Sequence, residues 1–310
     1  MLISKRSSKI VSHNNAFRSK NDNVNTFYHY LSSRLNASPK SSTVINILSR
    51  RNIVKFATGS ILVLPLLGEI YARSGSPNMT GILSSLFEPD KLESWRSAQS
   101  ITLVYHGAGG QDVNTDALIN TLKNSSQANH LVKMIDWSED SQDTLKASFS
   151  GSKIGRAIAC KLSEVVDASD SGPLISVHLI GISVGAFAAN SCVQELDRKL
   201  SEQGNRANVN VQLTLLDPFS QRGVLGIGYG NSEFGKGANY AQQYLNTDDP
   251  VPSTNSALKY CAVTDVTDIR PQNIFGHDWP LIYYTKSLDK SSNSMIPQDQ
   301  RRPRGSIISI

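Results

Sequence analysis

The chain has 310 residues, of which 39% are hydrophobic and 18% are charged, a composition typical of one large globular domain with accessory segments. The formal net charge of +5 is unevenly distributed, because the first 60 residues hold ten Lys and Arg side chains and one acidic side chain. The remaining residues hold 21 basic and 25 acidic side chains, so the overall charge of the globular part does not support a nucleic-acid partner.

Residues 1–72 are predicted to form a basic leader. Residues 1–48 are rich in Ser, Asn, Lys and Arg and lack apolar periodicity, so we predict that they are disordered. The block Ser-Arg-Arg-Asn-Ile-Val-Lys at 49–55 and the apolar run at 56–67 follow, and this run is short for a membrane span but suits an export signal. The block resembles a twin-arginine signal, with cleavage near Tyr71 and Ala72 or an uncleaved anchor. We predict an exported protein (periplasmic, extracellular or membrane-anchored), with organelle targeting as the alternative.

Residues 73–100 are predicted to be a linker with a short helix near 83–95. The first clear strand, at 101–105, runs into His-Gly-Ala-Gly-Gly at 106–110. Because this loop lacks bulky side chains, its backbone can approach a substrate carbonyl group and donate an amide hydrogen bond. The predicted donor is the backbone N–H of Ala108, and we interpret His106 as a structural part of the turn.

A helix at 116–124, a strand at 131–135 and an amphipathic helix at 149–166 are predicted next. The apolar run at 175–180 then breaks at Gly-Ile-Ser-Val-Gly and continues as an alanine-rich helix to about residue 200. The pattern Gly-x-Ser-x-Gly between a strand and a helix is typical of a nucleophile elbow, which exposes the serine beside the free amide groups of a helix N-terminus. Ser183 is therefore the candidate nucleophile.

A strand at 208–216 ends at Asp217, and the glycine-rich stretch at 219–243 is predicted to be a lid or pocket wall. A short strand near 242–245 precedes Thr-Asp-Asp-Pro-Val-Pro at 247–252, and an apolar helix follows His277. The polar, basic tail at 291–310 is predicted to be disordered. The three cysteines, Cys160, Cys192 and Cys261, are odd in number and widely spaced, so neither a disulfide framework nor a metal site is predicted.

Strands that alternate with helices predict an α/β fold with a mostly parallel sheet, whose strand carboxyl ends gather the active site. A nucleophilic serine needs a base, and that base needs an acid to orient it. Of the six histidines only His277 follows Ser183, as the chain order serine, acid, histidine of such folds requires. Two aspartates that follow strands, Asp217 and Asp249, remain as candidates for the acid.

Six blocks in the same order resemble the lipoprotein and pancreatic lipase family: VYHGAGG, HLVKMIDWS, FSGSKIGRAIACKL, VHLIGISVGAFAA, LTLLDPF and GHDWPLIYYTKSL, between residues 104 and 288. The resemblance implies an α/β-hydrolase fold with a mostly parallel central sheet flanked by helices. It also implies Ser183 as nucleophile, Asp217 as acid, His277 as base, and the backbone N–H groups of Ala108 and Val184 as the oxyanion hole. The segment DDPVPST is closer to the acid loop of fungal triglyceride lipases, which keeps Asp249 as the alternative acid.

These patterns predict an exported serine ester hydrolase, lipase- or esterase-like, with its catalytic domain at 101–290. The reaction would pass through an acyl-enzyme and needs no metal or organic cofactor. The expected substrate is a small-molecule or lipid ester, with a membrane surface or an N-terminal membrane anchor as a further partner. The alternatives are a thioesterase or peptidase on the same fold, or a catalytically inactive hydrolase-like binding protein.

Overall fold

The computed structural model describes residues 63–126, 129–167, 176–288 and 294–310. The predicted disordered leader and the twin-arginine-like block lie outside these residues. The described chain begins with helices α1 (Val63–Arg73), α2 (Met79–Leu86) and α3 (Leu92–Arg96). The predicted linker at 73–100 is thus more ordered than expected, because Trp95 is fully buried in the core and its indole N–H donates to the Leu86 carbonyl oxygen.

The core of the fold is one seven-stranded sheet. In sheet order its strands are β2 (His130–Ile135), β1 (Ser100–Tyr105), β3 (Ser176–Ile182), β4 (Asn210–Leu216), β5 (Tyr240–Leu245), β6 (Ala262–Asp265) and β7 (Ile307–Ser309). Every neighbouring pair among these described strands is parallel. All seven carboxyl ends therefore meet at one edge of the sheet, where α/β folds collect their functional groups.

Helices cover both faces of the sheet. They are α4 (Val113–Asn124), α5 (Ser138–Ser141), α6 (Thr144–Asp167), α7 (Ala186–Glu202), α8 (Tyr229–Glu233) and α9 (Trp279–Leu288). Successive residues of β1 point to opposite faces, as the period of two in a strand requires. Leu103 packs in the cluster that contains α6 and α7, whereas Val104 packs in the cluster that contains α4 and α9. Such burial on both faces explains the nearly continuous apolar strands.

Helices α6 and α7 cross at a point where no side chain fits between their backbones. A Cβ atom at Gly155 of α6 would overlap the Ala188 carbonyl oxygen of α7 and lie 2.9 Å from the Cys192 amide nitrogen. The glycine lets the two helices approach closely. This crossing holds α7, and with it the turn that precedes α7, against the sheet.

The prediction of a disordered tail at 291–310 was wrong for residues 294–310. Met295 is buried, β7 pairs with β6, and the Arg302 guanidinium donates to the Val263 carbonyl oxygen at 2.8 Å. The sheet therefore extends beyond the predicted domain boundary at residue 290. Polar composition misled the prediction, because arginine side chains here satisfy backbone carbonyl groups at the sheet edge.

The glycine-rich stretch at 219–243 contains α8 and is joined to α1 by hydrogen bonds. The buried carboxylate of Glu69 in α1 accepts hydrogen bonds from the backbone N–H groups of Val224 and Leu225, at 2.9 and 3.1 Å. The Arg73 guanidinium donates to the same carboxylate. None of the helices in the described part of the chain has the length and apolar character needed to cross a membrane.

Candidate active site

The turn between β3 and α7 holds Ser183 at the carboxyl edge of the sheet. Ser183 has φ of 51°, a left-handed conformation that costs a non-glycine residue about 1–2 kcal/mol. Two glycines make the turn sterically possible: a Cβ at Gly181 would lie 2.7 Å from the Ala186 Cα, and one at Gly185 would overlap the Tyr105 carbonyl oxygen. The predicted elbow geometry is therefore present, with the serine at the N-terminal end of α7.

The short helical turn Gly276–Asp278 brings His277 to this serine. The His277 Nε2 atom lies 2.8 Å from the Ser183 Oγ atom, within hydrogen-bond distance, although 94 residues separate them in the chain. The turn is fixed by Asn246, whose side-chain amide donates to the Gly276 carbonyl oxygen at 2.9 Å. The histidine selected by elimination is thus in contact with the predicted nucleophile. Sequence reasoning did not identify Asn246, and no motif marks it.

Two carboxylates face the other side of the imidazole. The His277 Nδ1 atom lies 2.7 Å from an Asp217 oxygen and 2.8 Å from an Asp249 oxygen. Asp217 follows β4 with φ of 45°, and Asp249 lies in the turn after β5. Both aspartates are buried, with 1% and 5% of their surface exposed. Both candidate acids therefore lie within hydrogen-bond distance of the His277 ring nitrogen that an orienting acid would contact.

The electrostatics of the site follow from burial and from these short contacts. Burial raises the pKa of Asp217 well above its usual range, and the neighbouring Asp249 adds to this shift. Burial also acts to raise the pKa of Asp249, but hydrogen bonds from His277, Asp217 and Thr254 lower it overall. Although burial disfavours the imidazolium, hydrogen bonds to the two carboxylates raise the pKa of His277 to about 10.

A second loop faces the serine from β1. A Cβ at Gly107 would lie 3.3 Å from the Ser183 Cβ, so the backbone after β1 passes directly beside the nucleophile. His106 is fully buried and fixes this loop: its ring nitrogens contact the Gly107 carbonyl oxygen at 2.9 Å and the Trp137 N–H at 3.1 Å. The Trp137 indole N–H donates back to the His106 carbonyl oxygen at 3.1 Å. The structure thus gives His106 a structural setting and places Gly107, the residue before Ala108, next to the Ser183 turn.

Among the described residues, Asp217, Asp249 and His277 are the cluster whose donor atoms lie close enough to hold a metal ion. The two nitrogens of the imidazole already face the carboxylates on one side and the Ser183 hydroxyl on the other. This arrangement is what proton transfer from a hydroxyl group to an imidazole requires, when a buried acid orients the imidazole and stabilises its charge. We therefore assign the cluster to acid–base chemistry.

An all-parallel sheet flanked by helices, with a serine on a strained turn between strand and helix, defines the α/β-hydrolase fold. The predicted fold class is confirmed. No protein-family model matches the chain, and no curated protein matches its sequence significantly.

The solved structures that are similar to the chain include the following two. The crystal structure of Aspergillus fumigatus lipase B has 12% sequence identity and a TM-score of 0.35, and the match covers 55% of this chain and 44% of that one. The chain thus spans less than half of the lipase. A putative hydrolase of the alpha/beta superfamily from Xanthomonas campestris pv. campestris has 13% identity and a TM-score of 0.27, over 69% of this chain and 86% of that one. At these identities the likeness concerns the fold alone.

Proposed function

We propose that the protein is a serine ester hydrolase that acts through an acyl-enzyme. The observation that carries the proposal is the contact of 2.8 Å between the Ser183 hydroxyl and the His277 Nε2 atom, with buried carboxylates on the opposite ring nitrogen. A serine hydroxyl is a weak nucleophile at neutral pH, so it needs this base to remove its proton as it attacks. A histidine in turn needs an acid that fixes its tautomer and stabilises its positive charge.

In the proposed mechanism the Ser183 oxygen attacks the ester carbonyl carbon while His277 takes the hydroxyl proton. The backbone N–H groups of Ala108 and Val184 stabilise the negative oxygen of the tetrahedral intermediate. His277 then gives the proton to the leaving alcohol, which leaves an acyl group on Ser183. Water, activated by His277, hydrolyses the acyl-enzyme and restores the serine. Asp217, with Asp249 beside it, orients His277 throughout.

The exposed apolar side chains of the described chain support a lipid ester, presented at a lipid–water interface, as the substrate. Twelve large apolar side chains are exposed in the described part of the chain, and nine of them lie on α1 or on the segments that follow the carboxyl ends of β1, β4 and β6. These nine, which we call the apolar rim, are Leu66, Leu67, Ile70, Tyr71, Val113, Leu225, Ile227, Ile269 and Phe275. An apolar rim at the catalytic edge would dock on a lipid surface, because exposed apolar groups gain free energy when they leave water.

The function and the rim can be tested together with p-nitrophenyl esters. We expect the protein to hydrolyse these esters, and to hydrolyse long-chain esters in emulsion faster than short-chain esters in solution. Ile227→Ser is expected to lower the ratio of the emulsion rate to the solution rate several-fold, because Ile227 is 82% exposed on the rim. The matched control is Ile307→Ser, an exposed isoleucine within the edge strand β7, which should leave the ratio unchanged.

Absence of ester hydrolysis by folded protein would contradict the proposed function. Hydrolysis with equal ratios in both variants would contradict only the role of the rim. Faster turnover of thioesters or peptides than of matched esters would favour the other serine hydrolases.

We further propose that the chain is exported through its twin-arginine-like block at 49–55. A cut near Tyr71 and Ala72 would fall inside α1, where Ala72 is fully buried and the Tyr71 hydroxyl lies 2.8 Å from an Asp143 oxygen. These contacts support retention of the leader as an anchor. Replacing both arginines by lysine (Arg50→Lys with Arg51→Lys) should leave the protein inside a host that has the twin-arginine pathway, while Arg34→Lys should not. Export of the double variant would contradict the proposal.

A further inference from the structure

The feature that the proposed mechanism does not use is the second carboxylate. A proposed serine hydrolase needs one acid behind its histidine, and here two buried acids contact the same Nδ1 atom at 2.7 and 2.8 Å. Two carboxylates this close to one another cannot both be ionised at neutral pH without a large repulsion in a buried site. One proton on the pair removes that repulsion.

The hydrogen bonds of the two aspartates indicate where the charge resides. Asp249 receives the backbone N–H of Val251 at 3.1 Å on one oxygen and the Thr254 hydroxyl at 2.5 Å on the oxygen that faces His277. Apart from the His277 contact, Asp217 receives one described hydrogen bond, the backbone N–H of Asn246 at 3.2 Å. The carboxylate with more and shorter donors is the better place for a negative charge.

We propose that Asp217 and Asp249 share one proton, with the charge on Asp249 and the proton on Asp217, so that the acid of this site is a carboxylic acid–carboxylate pair. The proposal rests on the proposed function, since it assigns both residues to positioning His277. The opposite pKa shifts of Asp217 and Asp249 are consistent with this assignment.

The consequence is that neither aspartate is irreplaceable alone. If Asp217 becomes asparagine, a neutral amide takes the place of a neutral acid and can still donate to Asp249. If Asp249 becomes asparagine, Asp217 loses its neighbouring charge and ionises beside His277. In both single variants one negative charge remains behind the imidazole, and only the double variant removes it.

Other charged groups near the site do not change the number of negative charges that the aspartate pair places behind the imidazole. Asp248 forms an ion pair of 2.7 Å with Arg270, which neutralises it. Asp278 follows His277 in the chain, and Asp112 acts on Asp278 at longer range. All three carboxylates are unchanged in the Asp217 and Asp249 variants that test the proposal.

The test compares Asp217→Asn, Asp249→Asn and the double variant by ester hydrolysis over a range of pH. We expect kcat to fall less than about tenfold in Asp217→Asn, about tenfold to thirtyfold in Asp249→Asn, and about 10³- to 10⁴-fold in the double variant, with KM nearly constant. Because His277 is a base only when neutral and its pKa is raised, kcat/KM should rise with pH above 6.5, the ordinary pKa of histidine. The pH range over which kcat/KM rises should stay the same in each single variant and move to lower pH in the double variant.

The outcomes separate the proposal from its rivals. If one single variant loses as much activity as the double variant, that residue is the sole acid and the pair is wrong. If each single variant moves the rise of kcat/KM to lower pH and the two shifts add, both aspartates are ionised. The hypothesis of a shared proton is then wrong. Asp248→Asn is the matched control and should behave like the unaltered protein. Thermal unfolding of each variant would report any loss of fold.

Failure of the proposed function would be visible separately, as absence of ester hydrolysis by the unaltered protein. The pair could then be tested by the NMR titration of the His277 ring protons. A shared proton predicts nearly the same high titration midpoint in the unaltered protein and in both single variants, and a lower midpoint in the double variant. A midpoint that falls equally in one single variant and in the double variant would overturn the pair in this assay too.

Discussion

Ser183→Ala is expected to reduce ester hydrolysis about 10⁴- to 10⁶-fold while the protein stays folded. The substitution removes the oxygen that attacks the ester and leaves His277 without its partner at 2.8 Å. It keeps the backbone amide groups of the elbow, so a small residual rate from oxyanion stabilisation would remain. A fluorophosphonate probe, which reacts with activated serines, should label the unaltered protein at residue 183 and fail to label the variant.

The matched control is Ser201→Ala on α7, where the exposed hydroxyl group bonds only the Asp197 carbonyl oxygen one turn earlier. This variant should be labelled and should hydrolyse esters like the unaltered protein. Undiminished hydrolysis by Ser183→Ala would show that another group is the nucleophile. Folded, unaltered protein that resists the probe would favour the inactive hydrolase-like binding protein.

Gly155→Ala is expected to lower the free energy of unfolding by about 3 kcal/mol and the melting temperature by roughly 6–12 °C. Alanine favours a helix interior by about 1 kcal/mol over glycine, so propensity alone predicts stabilisation. The added Cβ, however, would overlap the Ala188 carbonyl oxygen and press on the Cys192 amide nitrogen, both backbone atoms of α7. The steric cost should exceed the gain, because a backbone cannot move aside like a flexible side chain.

Gly151→Ala provides the comparison for this prediction. It lies one turn earlier on α6, and its Cβ would lie 3.3 Å from the Ala188 amide nitrogen and 3.4 Å from the Trp137 ring. Small shifts can relieve contacts of this length, so we expect a change within about 1 kcal/mol of the unaltered stability. Equal melting temperatures for the two variants, measured by calorimetry, would show that the helix crossing is not as close as described.

The serine and the histidine of the candidate site could be predicted largely from local chemistry. The elbow needs glycines on both sides of Ser183 for steric reasons, and those glycines are visible in the sequence. His277 could be selected because only one histidine follows the serine. The sequence therefore indicated both residues of the contact between Ser183 and His277 that the structure contains.

The acid could not be resolved from sequence, since the structure places both candidates at the same nitrogen. Asp217 and Asp249 each follow a parallel strand, and β4 and β5 are neighbours in the sheet, so their carboxyl ends converge. Comparison with motifs selects one of the two aspartates as the acid, because each family motif contains a single acid. Only the folded structure shows that the Nδ1 atom of His277 contacts both carboxylates.

Strands β6 and β7, at one side of the sheet, could not be predicted from the sequence for a different reason. Strand β6 has four residues and β7 has three, too short for a clear alternating pattern, and β7 follows a tail rich in arginine. Its pairing with β6 depends on contacts far away in the chain, such as that between Arg302 and Val263. Local composition cannot reveal hydrogen bonds of this range.

The left-handed backbone of the site residues has a thermodynamic consequence. Four non-glycine residues in the described chain have positive φ, and Ser183 and Asp217 are two of them. A third, Ser253, immediately precedes the threonine that donates to Asp249. Each such residue stores about 1–2 kcal/mol that the rest of the fold must offset. For the proposed hydrolase, substitutions that relax these turns should raise thermal stability and lower the rate of hydrolysis, so activity and thermal stability oppose each other at this edge of the sheet.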